Sequence, residues 1–128
     1  MSARAGDEAR ASREREIRAG LVALVTPELV AEHGARPSGH HSPALAQLLA
    51  YFAQAPVARK LAILATVPGR EWRILAISGS PLAPHGEPGP EVFASAEAAR
   101  HAVFLRRLEA LGVPASVLRP DAPGGVHG

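Results

Sequence analysis

The residues best suited to chemistry are the adjacent imidazoles His40 and His41, because histidine ligates zinc and iron and His33 supplies a local third donor. Neighbouring residues seldom both face one ion, and the loop holding them has no carboxylate, so a solvated loop or an interface contact is the competing reading. No nucleophile is spelled out. The chain lacks cysteine and any Gly-x-Ser-x-Gly elbow, and Ser38, Ser42 and Ser95 stand where capping or loop structure explains them. Glu14, Glu16, Glu28, Glu32, Glu71, Glu97 and Glu109 fall at helix starts or on charged helix faces, where solvation explains them better than acid–base work does. Gly124-Gly125 has no lysine and no strand-to-helix turn with which to cradle phosphate. Arg100, Arg106 and Arg107 form a basic flank, but Glu97 and Glu109 dilute it and stacking aromatics are few, so no nucleic-acid partner is expected.

Chemistry therefore has to be sought in what the elements present to one another. A chain of 128 residues makes one domain, since cores divide only well above this size, at roughly 250 residues. Hydrophobic residues are 47% of the chain but aromatics only 4%, which leaves Ala, Leu and Val to fill the interior. Net charge is +2, from 14 basic and 12 acidic residues, and every basic residue except Lys60 is arginine. The absence of cysteine fits a reducing compartment, and the cytoplasm is the expected location. The charged opening from Met1 to Arg18 shows no secretory leader, and the apolar runs Leu21 to Val25 and Leu61 to Val67 are too short to span a bilayer, so no membrane partner is expected.

The run from Phe93 to Gly112 is a complete helix signal. Ser95 can cap it, Glu97 sits in the first turn where the helix dipole favours an anion, and Gly112 permits a left-handed stop. Ala98, Ala102, Leu105 and Leu108 form an apolar stripe, widened by Phe104 and Leu111. Residues 1–11 and 119–128 read as disordered tails around a domain at 12–118. A helix is expected from Ser12, with Ile17, Leu21, Leu24 and Val25 on its apolar side, restarting at Thr26-Pro27 and ending at His33-Gly34. Ser42-Pro43 starts another, which runs to about Ala55. Leu61 to Val67, a turn at Pro68 to Glu71, and Trp72 to Ser78 read as a β-hairpin, followed by a proline-punctuated crossing from Gly79 to Val92. The fold class is thus α+β: about three helices and a two-stranded antiparallel hairpin.

Both faces of that hairpin are apolar. Leaving Leu64, Leu75 and Ile77 in water forfeits about 5 kcal/mol, comparable with a small domain's whole stability of roughly 5–15 kcal/mol. Cover for the second face can come from the helices, from a second copy or from a different chain.

The block His101-Ala102-Val103-Phe104-Leu105-Arg106-Arg107 after an acidic helix start, Arg70-Glu71-Trp72 before a strand, and Ser42-Pro43 leading to Tyr51-Phe52 resemble the small subunit of N,N-dimethylformamidase. The likeness runs from about Glu16, through Pro27 to His33, to about Leu111. It implies an accessory chain, without catalytic, cofactor or metal residues, of an enzyme that splits formamides into formate and an amine. The resemblance also implies a much larger catalytic subunit holding one iron on two tyrosines and a glutamate, a set this chain, with Tyr51 alone, cannot supply. The expected partner interface is Glu71, Trp72 and Arg73 at the hairpin turn with His101, Phe104, Arg106 and Arg107 on the last helix. A free-standing homodimeric binding or regulatory module that pairs its hairpins is the alternative.

Overall fold

The first helix, α1 (Ser2–Leu24), starts ten residues ahead of the expected Ser12. The computed structural model describes residues 2–54, 61–77 and 86–119, with side chains from residue 5 onward. The stretch read as an N-terminal tail is therefore helical from Ser2. Its Ala, Arg and Glu residues are strong helix formers, and the docked C-terminal end supplies the costly nucleus from which they extend. Every residue from Ala5 to Gly20 is exposed, including Ile17, expected on the apolar side but 45% exposed. Leu21 and Val25 anchor the helix instead. Tyr51 Oη also donates to Glu14 Oε2 at 3.0 Å, and an Arg18 guanidinium N–H reaches the Ala110 carbonyl at 3.4 Å.

Thr26-Pro27 and Ser42-Pro43 both act as helix starts. Thr26 caps α2 (Pro27–Ala35) by accepting the Leu29 N–H at 3.1 Å, and Ser42 caps α3 (Pro43–Ala53) by accepting that of Leu45 at 3.4 Å. In each helix proline occupies a first-turn position whose N–H would have no intrahelical acceptor. The expected end of α3 at Ala55 lies outside the described residues.

Strands β1 (Leu61–Val67) and β2 (Glu71–Ala76) form the antiparallel hairpin, with Ile63 opposite Ile74, Leu64 opposite Arg73 and a register shift between Ala65 and Val67. Gly69, at φ +76°, turns the chain between them. Part of the proline-punctuated crossing proves to be sheet-like. Gly86 and Gly89 donate their N–H groups to the Ala76 and Ile74 carbonyls, and Phe93 exchanges two hydrogen bonds with Trp72. One edge of β2 thus pairs with β1 and the other with residues 86–93. Ile77 follows β2; Ser78 lies outside the described residues.

The last long helix, α4 (Ala96–Leu111), has the bounds its signals predict. Ser95 accepts the Ala98 N–H at 3.0 Å, and Gly112, at φ +115°, returns its N–H to the Glu109 and Leu108 carbonyls. Ser95→Ala should lower stability by about 1 kcal/mol and the thermal midpoint by roughly 3–6 °C, read by calorimetry. The buried face is rotated from the expected stripe. Ala99, Phe104, Leu108 and Leu111 are buried, Ala102 and Leu105 half-buried, and Ala98 exposed. The stripe assumed one flat surface, whereas α4 packs against both strands, α1, α2 and the short α5 (Ala115–Leu118). The sequence did not announce α5, which has no side-chain cap. The segment 120–128, the remainder of the expected second tail, lies outside the described residues.

The core joins Leu21, Val25, Leu29, Val30, Leu45, Leu48, Phe52, Phe104, Leu108, Leu111 and Val113, with Leu45, Leu48 and Leu108 fully enclosed. Leu and Val dominate it, as the scarcity of aromatics required. On the hairpin, Ile74 is buried, Leu75 and Ile77 are half-buried, and Leu64 and Val67 are 42% and 37% exposed. The penalty for uncovered apolar surface is thus smaller than the sequence arithmetic allowed, and it is concentrated toward the turn end of β1.

Candidate functional site

The expected interface residues separate into two groups around α4. The first secures the crossing segment. Arg73 donates to the Gly89 and Pro90 carbonyls, both at 3.1 Å, and Arg106 pairs with Glu91 at 3.0 Å. Trp72, half-buried, is bonded through its backbone to Phe93. Glu71 is half-buried, and its carbonyl accepts the Thr66 hydroxyl at 3.4 Å. Arg73 and the Trp72 backbone hold residues 89–93 to the hairpin and Arg106 ties them to α4, a job the sequence did not reveal because it lies in pairing across fifteen or more positions.

The second group, His101, Phe104 and Arg107, gathers around His33. Phe104 is 2% exposed and stacks on the His33 ring with centroids 4.0 Å apart, so it belongs to the chain's own core. Its burial follows from its size: a large aromatic on the inward face of a helix contributes most when fully removed from water. His33 Nδ1 lies 2.9 Å from His101 Nδ1. One ring donates and the other accepts, so two neutral imidazoles must adopt opposite tautomers there. Gly34 makes the approach possible: a Cβ at that position would stand 3.2 Å from the His101 ring. His41 lies near-parallel to the His33 ring with centroids 6.2 Å apart and bonds the Arg36 carbonyl through Nε2 at 2.9 Å.

Burial governs the titration of this cluster. His33 is driven down to about 4, first by desolvation and then by the neighbouring His101 and His41. Burial alone lowers His101. Beside them Glu32 accepts two 2.7 Å hydrogen bonds, from the Ser42 N–H and hydroxyl, and those donors hold its carboxyl below the usual range. Glu32 thereby ties the end of α2 to the start of α3. Glu32→Ala should lower the thermal midpoint without altering the helical bounds, checked by calorimetry and circular dichroism.

His40, first among the metal candidates, is exposed, and His41 is spent on a backbone carbonyl. Among the described residues no three His, Cys, Asp or Glu side chains converge on a metal position. The pairing of His33 with His101 spans 68 positions, and no local spacing could have announced it.

Between α3 and α4 the surface opens into a shallow groove of about 260 Å³. Leu49, Phe52, Val103 and Phe104 give it an apolar floor, while Arg100 and Arg107 provide its charge. Arg107 donates to the Phe52 carbonyl at 3.3 Å with its guanidinium carbon 5.9 Å from the Phe52 ring centroid, and burial lowers its affinity for its proton.

Comparison with known proteins gives two concordant matches. The profile of the N,N-dimethylformamidase alpha subunit family matches residues 8–117. An N,N-dimethylformamidase alpha subunit from an Alcaligenes species is 43% identical over 89 residues, a stretch covering 65% of this chain and 64% of that relative. The chain is thus similar to that subunit over somewhat less than two thirds of the subunit's length.

Proposed function

The chain belongs to the N,N-dimethylformamidase alpha subunit family, and from that premise we propose that it is the non-catalytic small subunit of a hetero-oligomeric amide hydrolase. A larger chain holds the iron and releases formate and an amine from a formamide; this chain stabilises it. The family match is the observation that carries the reading. Apolar surface supports it: Leu64 and Val67 stay exposed at the turn end of the hairpin, on a strand whose seven residues include no charge and whose outer edge pairs with nothing among the described residues. Such an edge is adhesive unless something covers it.

The proposal puts the iron in the larger chain. A site of two tyrosines and a glutamate is incompatible with a sequence whose one tyrosine, Tyr51, already bonds Glu14. Among the described residues no helix is long and apolar enough to cross a membrane, and a cytoplasmic location completes the proposal.

Co-expression with the candidate large subunit tests it. Co-purification of the two chains, with iron in the complex and formate released from N,N-dimethylformamide, is the expected result. Because the partner binds only the folded chain, the complex should also unfold at a higher temperature than the small chain alone. A small chain that remains a stable monomer or homodimer and ignores the large one sinks the proposal and leaves the hairpin-paired module in its place.

A further inference from the structure

Resting on the accessory-subunit reading, we propose that the groove between α3 and α4 is where the partner docks, and that it takes a partner segment presenting one bulky apolar side chain next to a carboxylate. The apolar floor is Leu49, Phe52, Val103 and Phe104, and no acidic residue lines the groove. Arg100 and Arg107 lie two helical turns apart on α4, about 10 Å along the axis, with Val103 and Phe104 between them. Among the described residues neither arginine makes an ion pair, in contrast to Arg106, which Glu91 neutralises. Arg107 is held in place by the Phe52 carbonyl, while Arg100 is exposed.

Charge complementarity selects the occupant. Two uncompensated guanidinium groups beside a desolvated apolar floor favour a carboxylate, and arginine's planar fork suits bidentate pairing with it. An open groove of about 260 Å³ has room for one anchor side chain. Buried apolar anchors flanked by charge are the usual energetic centres of protein interfaces. The expected interface thus keeps Arg107 and moves its apolar centre from Phe104 itself to the surface that Phe104 supports from beneath.

The test uses the complex of this chain with its large subunit. Arg100→Glu alters an exposed side chain that bonds nothing among the described residues, so its unfolding midpoint should match the native chain's. Its affinity for the large subunit should fall about tenfold or more at low salt, with Arg100→Lys, which keeps the charge but not the planar fork, between the two. A benzophenone amino acid in place of Ala53, at the groove's exposed rim, should crosslink to a large-subunit peptide in which Asp or Glu adjoins a bulky apolar residue. Native affinity in Arg100→Glu, or crosslinks confined to a second copy of this chain or to a peptide without a carboxylate, would overturn the groove assignment while leaving the accessory role intact. Failure of the native chain to bind the large subunit overturns both.

Discussion

Phe104→Ala is expected to reduce the free energy of unfolding by about 3–5 kcal/mol, the usual range for deleting a buried phenylalanine. The ring is 2% exposed, stacks on His33 at 4.0 Å and meets Phe52 edge-on at 6.2 Å, so its removal leaves a cavity where α2, α3 and α4 converge. In a chain this small such a loss takes away much of the total, and the urea midpoint should fall sharply. Assembly with a large subunit should weaken too, but through the loss of folded chain. Arg100→Glu should show the opposite pattern, with native unfolding and weak assembly. A Phe104→Ala midpoint within about 1 kcal/mol of native would mean that neighbouring side chains collapse into the space, and that the ring is not the keystone its contacts describe.

The second large effect is of pH. Unfolded, the His33 imidazole titrates near 6.5; folded, it is held at about 4. Between those values the unfolded chain binds more protons, so stability rises with pH, is complete above about 6.5 and is lost as pH falls toward 4. The span amounts to roughly 3 kcal/mol. His101, lowered by burial, acts with the same sign. Among the charged and titratable neighbours, His101 and His41 oppose protonation of His33, and Glu32 favours it. Glu32 has its own effect: its depressed carboxyl contributes stability above the ordinary carboxylate range, lost on further acidification.

Urea midpoints measured from pH 4.5 to 7.5 should therefore climb steeply for the native chain. In His33→Phe, which preserves a ring stacked on Phe104, the slope should flatten to what His101 contributes. A native midpoint flat across that range would show that His33 takes up its proton as easily folded as unfolded.

Much of this architecture was legible in the sequence. Thr26-Pro27, Ser42-Pro43 and the Ser95 to Gly112 pair set helix ends that the structure reproduces, and the apolar arms either side of the turn read at Pro68 to Glu71 set the hairpin. The family signature was legible as well, because its blocks are contiguous. What escaped were relations between distant positions: His33 with His101, Arg73 and Arg106 with the crossing, and the strand-like pairing of residues 86–93.

Caps and turns are decided within three or four residues, where a hydroxyl meets a nearby N–H or a glycine adopts a positive φ, and composition alone specifies them. Which face of α4 is buried is a different kind of question. Its stripe put Ala98 inward, and only the simultaneous presence of α1, α2, α5 and the hairpin around one helix turned Ala99 inward instead and drew Phe104 under His33. The candidate site is likewise a tertiary product: α3 lends the groove Leu49 and Phe52, and α4 lends it Val103 and two arginines. The sequence by itself determined the capped helix starts at Thr26, Ser42 and Ser95, the hairpin and the family; tertiary packing decided which side chains became core and which stayed at the surface, because burial depends on every neighbour at once.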